Sequence, residues 1–279
     1  MTRLILAISL AALPQLPACA QSPRAAADTQ AQLNAALRTK TIVLLGEVHD
    51  NAVQHAMRAE ALRTLLEGGA RPALLMEQFD REHQAGLDRA LAQAGAKPDD
   101  VIAAASPGDP AMQGWSWPFY KPYIALAIAY RLPIVAANVS RDDTRRVLKD
   151  GLPSLGFDAR VPADIAAAQA SEIADSHCGM IDAAQAGRMV GSQVARDQFM
   201  ARAIEANAAR GAVLIAGNGH VRRDVGVPRW LHADTRARSV SIGLLEAGDP
   251  NAAAFDVVVM TPAQDRADPC ESMRTPPKR

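Results

Sequence analysis

The sequence predicts an α/β fold: a mostly parallel central sheet flanked by helices on both faces, with a loop and helical lid. Three observations predict it. Short, β-rich apolar runs alternate with longer helical stretches along the chain, the pattern of strands joined by crossover helices. The first four runs lack polar alternation, which marks strands covered on both sides. Hydrophobic residues make up 49% of 279 residues, enough for one large core, so residues 31–279 read as a single domain.

The first twenty residues stand apart from that domain. Arg3 precedes an apolar run from Leu4 to Leu13 that is too short to span a bilayer, so residues 1–20 read as a signal peptide. Leu16, Pro17, Ala18 and Cys19 approximate a bacterial lipobox, with cleavage before Cys19 and a lipid on its sulfur. Cleavage after Ala20 is the alternative, because Ala18, Cys19 and Ala20 satisfy the small-x-small rule. Both routes predict export to the periplasm, the first as a lipoprotein facing it from the outer membrane. Residues 21–30 read as a polar linker.

Strands are predicted at Thr41 to Leu45, Ala73 to Glu77, Pro133 to Ala136, Ala212 to Ala216, Ser239 to Leu245 and Phe255 to Met260. The first four are predicted to be central and the last two a closing pair near one edge. Asp50 or Asn51 can cap a helix ending at Glu67 before Gly68 and Gly69, with Val53, Met57, Ala61 and Leu65 on one face. Further helices are predicted over Asp80 to Ala94, Lys121 to Tyr130 and Asp182 to Arg210. On the last, Gln193 and Asp197 interrupt an apolar stripe of Met189, Met200 and Ile204, so they must meet buried polar partners or face a cavity. The stretch from Asp99 to Pro118 reads as a long loop or lid.

Lys+Arg and Asp+Glu are equal at 30 each, and no basic run stands out, so the chain has no field to attract nucleic acid. Aromatic residues at 4% also argue against base-stacking platforms. With Cys19 spent on processing, Cys178 and Cys270 are left, and in an oxidising compartment one disulfide between them is the simplest reading. A lone reactive Cys178 is the other. No CxxC spacing points to structural zinc or thioredoxin chemistry.

The most informative local pattern is a recurrence. Thr41 to Leu45 runs into Gly46, Glu47, Val48, His49, and Ala212 to Ala216 runs into Gly217, Asn218, Gly219, His220. In open α/β sheets the ligand crevice lies beyond the carboxyl ends of the strands, so two such turns can face one pocket. Glu77 and Asn138 end the neighbouring strands in the same way. Glutamate and histidine at these tips can hold a divalent metal, act as acid and base, or orient a bound carboxylate. His55 and His83 read as surface residues or as supports behind the site, and His232 as outside it.

These residues resemble those of the ChaN-like haem-binding uptake lipoproteins, within the broader superfamily that includes Tiki and erythromycin esterase. The resemblance runs over nearly the whole mature chain: Gly46 to Asn51, Met76 to Asp80, Trp117 with Pro118, Ala136 to Asn138, His177 with Cys178, Gln193, Arg196, Asp197, and Gly217 to Arg222. It implies a periplasmic or outer-membrane-associated protein that binds haem, in a homodimer enclosing two haems, with tyrosine on the iron. A phenolate stabilises ferric haem. Of Tyr120, Tyr123 and Tyr130, the first two sit beside Trp117 and Phe119 in the lid and are the candidate ligands, while Tyr130 reads as core. Lys121, His220, Arg222 and Arg223, with His49 at the rim, are candidate partners for the propionates.

Two functions therefore compete. One is a haem-binding protein of haem and iron uptake, with Tyr120 or Tyr123 on iron. The other is a metal-dependent hydrolase in which Glu47, His49, Glu77 and His220 bind a divalent ion or activate water.

Overall fold

The computed structural model describes residues 23–105, 108, 114–268 and 270–271. The expected signal peptide and Cys19 lie outside them. In chain order the elements are α1 (Pro23–Ala36), β1 (Ile42–Leu45), α2 (Ala52–Glu67), β2 (Ala73–Asp80), α3 (Gln84–Leu91), α4 (Pro98–Ala105), α5 (Trp117–Tyr130) and β3 (Ile134–Asn138). They continue as α6 (Arg141–Asp150), α7 (Ala163–Ser176), α8 (Ala183–Asn207), β4 (Ala212–Ile215), α9 (Asn218–Val221), α10 (Ala233–Ala237), β5 (Ser239–Glu246) and β6 (Val257–Thr261).

The six strands form one sheet in the order β3-β2-β4-β1-β5-β6, and every pairing is parallel. Because successive strand residues point to opposite faces, β1 sends Val43 and Leu45 to one core and Ile42 and Leu44 to the other. The first core packs under α1 to α5 through Leu33, Leu62, Leu66, Leu87, Val101 and Ile124. The second packs under α8 through Met200 and Ile204. A third apolar layer joins α6, α7 and α8 through Val147, Ile165, Val190 and Val194. Each fully buried aliphatic side chain is worth about 1.5–3 kcal/mol. No described helix is long and apolar enough to cross a membrane.

The structure departs from the sequence expectations in several places. The stretch expected as a loop from Asp99 begins inside a helix, α4, with Asp99 and Asp100 in its first turn. The helix expected from Asp80 starts only at Gln84, because β2 runs on to Asp80. Residues 23–36 form a helix where a linker is expected through Gln30; alanine-rich composition favours it, and Leu33, Ala36 and Leu37 anchor its end. β3 is an edge strand rather than a central one, with Val135 and Asn138 half-buried. α5 begins at Trp117, four residues before the predicted start, because Pro118 fits the first helical turn, where its missing N–H costs nothing. α2 turns inward a face shifted from the expected one: Gln54, His55, Arg58, Leu62 and Leu66 are buried together with Ala61; Met57 and Leu65 pack at the edge, and Val53 is exposed. The α2 N-cap is Asn51, whose side chain accepts from the Gln54 N–H at 3.0 Å.

Candidate functional site

β1 and β4 are neighbours in register, Leu45 opposite Ile215, so their two Gly-x-x-His turns leave the sheet side by side. β2 lies on the other flank of β4 with Met76 opposite Ile215, which places Glu77 one step beyond the same line. The four expected tips converge: Glu47, His49, Glu77 and His220 line one hollow of about 560 Å³ together with Asn138, Gln193 and Arg196. A second hollow of about 570 Å³ shares His49, Trp115, Asn138 and Arg196, and adds Phe119, Tyr120 and Arg141. Close approach explains two of the glycines. A Cβ on Gly46 would lie 2.2 Å from Asn218 Oδ1, and one on Gly217 would lie 2.9 Å from His49 Nε2.

Glu47 is the centre of a buried network. Its Oε1 accepts from the Tyr120 hydroxyl at 2.6 Å and from His49 Nδ1 at 2.8 Å. Its Oε2 meets the Arg58 guanidinium, and His55 Nδ1 lies 3.6 Å away. Arg58 also donates to the Leu45 carbonyl at 2.8 Å, which ties α2 to the end of β1. His55 Nε2 donates to the His49 carbonyl at 3.0 Å, and the Tyr123 hydroxyl donates to the His55 carbonyl at 3.0 Å. Burial lowers the pKa of His55 and raises those of Tyr120 and Tyr123, so the imidazole stays neutral and both phenols stay protonated. His49 alone of this group reaches solvent, with 48% of its side chain exposed.

His220 forms a second array. Its Nδ1 donates to Asp197 Oδ1 at 2.6 Å, and its Nε2 lies 3.4 Å from Glu77 Oε1. Gln169 donates to Asp197 Oδ2 at 3.2 Å, and the Gly217 N–H donates to Glu77 Oε2 at 2.8 Å. Burial opposes every charge here, yet His220 drives Glu77 down to about 2, and Glu77 with Asp197 drives His220 up to about 10. For Asp197 burial wins and its pKa is raised. The result is an imidazolium held beside carboxylates. Asp197 and Gln193 thus meet a buried polar partner: Gln193 Nε2 lies 3.3 Å from the His220 ring.

Other expected site residues lie elsewhere. Tyr123 is fully buried with its hydroxyl on a backbone carbonyl, and Tyr120 lines the hollow while committing its hydroxyl to Glu47. The hydroxyls of both expected iron ligands are thus bonded within the protein, and Tyr120 alone of the two lines a hollow. Tyr130 sits at the far end of α5 under Arg71, 5.0 Å from its ring centroid. Trp117 packs on Phe79 at 5.5 Å, away from both hollows; Trp115 lines them instead. Lys121 pairs with Asp99 at 2.5 Å, Arg222 is held by Asp224 and Glu172, and Arg223 by Asp256, all outside the hollows. Cys178 and Cys270 form a disulfide with Cα atoms 5.6 Å apart.

Among the described residues no group of three or more His, Cys, Asp or Glu side chains is placed to hold a metal ion. This corrects the divalent-metal set of Glu47, His49, Glu77 and His220, and charge is the reason: Arg58 neutralises Glu47 and protonated His220 neutralises Glu77. Arg58, Trp115 and Arg141 belong to the site without standing out in the sequence. A signal for the first was present, since Asn51, His55 and Arg58 recur at helical spacing on one face of α2.

An all-parallel sheet with helices on both faces and a polar hollow at its strand tips defines the class of α/β proteins that bind a ligand at the carboxyl edge. Residues 33–231 match the family described as "Haem-binding uptake, Tiki superfamily, ChaN", and the chain belongs to that family. Among solved structures it is similar to ChaN of Campylobacter jejuni with cofacial heme, at 19% identity and a TM-score of 0.65, covering 83% of this chain and 90% of that one. That likeness shows a shared fold. It is also similar to an erythromycin esterase mutant, EreC, in its open conformation, at 17% identity and a TM-score of 0.45, covering 86% of this chain and 81% of that one. The type III effector HopBA1 gives 15% identity and a TM-score of 0.48, covering 85% of this chain and 94% of that one. No curated protein matches the chain.

Proposed function

We propose that this chain binds haem in the strand-tip hollow and serves haem-iron uptake as an exported carrier. Family membership supports haem as the ligand. The observation that carries the site is His49: Glu47 holds its Nδ1 at 2.8 Å, the ring is half exposed, and it opens on a hollow walled by Trp115, Phe119 and Tyr120. A carboxylate on one ring nitrogen fixes the tautomer and leaves the other as a lone-pair donor. That donor set fits ferric or ferrous haem, for which imidazole is an ordinary axial ligand. The hollow of about 570 Å³ lies within the roughly 300–1,000 Å³ of small-molecule sites. The aromatic wall would lie against the porphyrin, and His49 would reach its iron.

Export is supported by the leader-like residues 1–20 and by the Cys178–Cys270 disulfide, which persists in oxidising compartments. Lipid on Cys19 would tether the carrier to a membrane facing the periplasm. Two copies meeting across the hollow would enclose two haems, in keeping with the cofacial heme of ChaN from Campylobacter jejuni. Titration of the mature chain with hemin tests the reading: a saturable Soret change that His49→Ala weakens or shifts supports it, and a featureless titration overturns it.

A second reading is favoured by one observation, the imidazolium of His220 between Glu77 and Asp197 beside the His49–Glu47 pair. Such an array can hydrolyse an ester or amide without a metal, with His49 as general base. A screen of ester and peptide substrates with His49→Ala as the control tests it; turnover that the variant loses would establish it.

A further inference from the structure

Two arginines line the aromatic-walled hollow without an acidic partner among the described residues. Arg141 opens α6 directly after β3, and Arg196 projects from α8 one residue before Asp197; both line the hollow of about 570 Å³. Among the described residues, neither has a carboxylate oxygen within 4.0 Å. Among the described residues Arg196 makes one side-chain bond, to Gln193 Oε1 at 3.5 Å, a weak contact.

Other arginines around the site are matched. Arg58 is paired with Glu47, Arg81 with Asp143, Arg222 with Asp224 and Glu172, and Arg266 with Asp50 and Glu246. The acids lining the hollow do not balance the remaining pair. Asp50 is taken by Arg266 through two hydrogen bonds of 2.8 and 2.7 Å, and Asp80 is buried and already engaged. The hollow is thus lined by two arginines that no described carboxylate pairs.

We infer that Arg141 and Arg196 are the anion-recognition subsite of this hollow, reading carboxylates on its ligand. The inference rests on the haem reading and deepens it: the carboxylates are the two propionates of the porphyrin. Guanidinium suits the task because its planar fork meets a carboxylate with two parallel hydrogen bonds and never loses its charge. The half-buried setting of Arg196 strengthens such a bond relative to one in open water. Lys121, Arg222 and Arg223, by contrast, are ion-paired with Asp99, with Asp224 and Glu172, and with Asp256.

The test compares hemin with hemin dimethyl ester, in which both propionates are masked, on the full mature chain. The wild type is expected to bind hemin at least tenfold more tightly than the ester. Arg141→Gln with Arg196→Gln is expected to weaken hemin by roughly tenfold per arginine, the scale of a charge-assisted hydrogen bond, and to leave ester affinity unchanged. Raised salt should weaken hemin binding by the wild type and not by the double variant. Arg141→Gln alone, at an exposed position, guards against misfolding of the double variant and should give about half the effect on a logarithmic scale. Equal binding of hemin and ester by the wild type, or unchanged hemin affinity in both variants, overturns the subsite while the haem reading stands. Absence of saturable hemin binding by the wild type overturns both.

Discussion

Glu47 and His49 stand two residues apart on the turn after β1, and the carboxylate of one holds Nδ1 of the other at 2.8 Å. The same carboxylate accepts from Tyr120 and neutralises Arg58, so a single acid organises α2, α5 and the exposed imidazole at once.

Glu47→Gln is expected to destabilise the fold by about 3–5 kcal/mol, because it leaves the fully buried Arg58 charge unpaired. Urea denaturation measures it. A loss below about 1 kcal/mol would mean that Arg58 finds other compensation.

Tyr120→Phe removes a hydroxyl from a charged acceptor and should cost about 1.5–3 kcal/mol, whereas Tyr123→Phe removes a bond to a carbonyl and should cost about 0.5–1.5 kcal/mol. Hemin titration of the double variant should still saturate if His49 holds the iron, since both hydroxyls are bonded within the protein. Complete loss of binding, with the fold intact by circular dichroism, would return tyrosine to the iron.

Gly217→Ala places a Cβ 2.9 Å from the His49 ring at a backbone φ of −62°, which alanine accepts without strain. The imidazole, half exposed, is the part free to move. Hemin affinity should therefore fall several-fold with little change in the unfolding temperature, as calorimetry and titration together would report.

The His220 array sets a pH window. A pKa raised to about 10 gives stability that is full below its ordinary value of 6.5 and lost as pH climbs through 10; Glu77, lowered to about 2, gives stability that is full above 4.5 and lost as pH falls through 2. Buried Asp197, with its raised pKa, works in the opposite sense and trims the gain. The unfolding temperature should be highest between pH 4.5 and 6.5, and His220→Gln should flatten the alkaline limb. An alkaline limb that persists in the variant would assign it to another group.

Replacing Cys178 and Cys270 together with serine opens a loop of 92 residues and should cost about 2–4 kcal/mol in chemical denaturation. An unchanged midpoint would show that the C-terminal segment is held without the bond.

The sheet and the four strand tips were legible because continuous apolar runs end in Gly-x-x-His twice, and parallel pairing of β1 with β4 brings those ends together. The inward face of α2 was legible only in part: Ala61 is buried and Met57 and Leu65 pack at the core's edge, but the centre of the face is polar, with Arg58 and His55 on Glu47, and Val53 is exposed. Cation partners were equally hidden. Lys121 and Arg222 are discharged by Asp99 and Glu172, 22 and 50 positions away, and only the fold brings those acids near. Trp117 drew attention over Trp115 because helix phase, which the sequence left open at Pro118, decides which indole meets the hollow.

A crystal structure of the mature chain soaked with hemin, with the iron located by anomalous scattering, tests the central claim most directly. One iron peak per chain is expected at coordination distance from the His49 ring, with porphyrin density against Trp115 and Phe119. An iron peak at a tyrosine, or anywhere outside the strand-tip hollow, would contradict it.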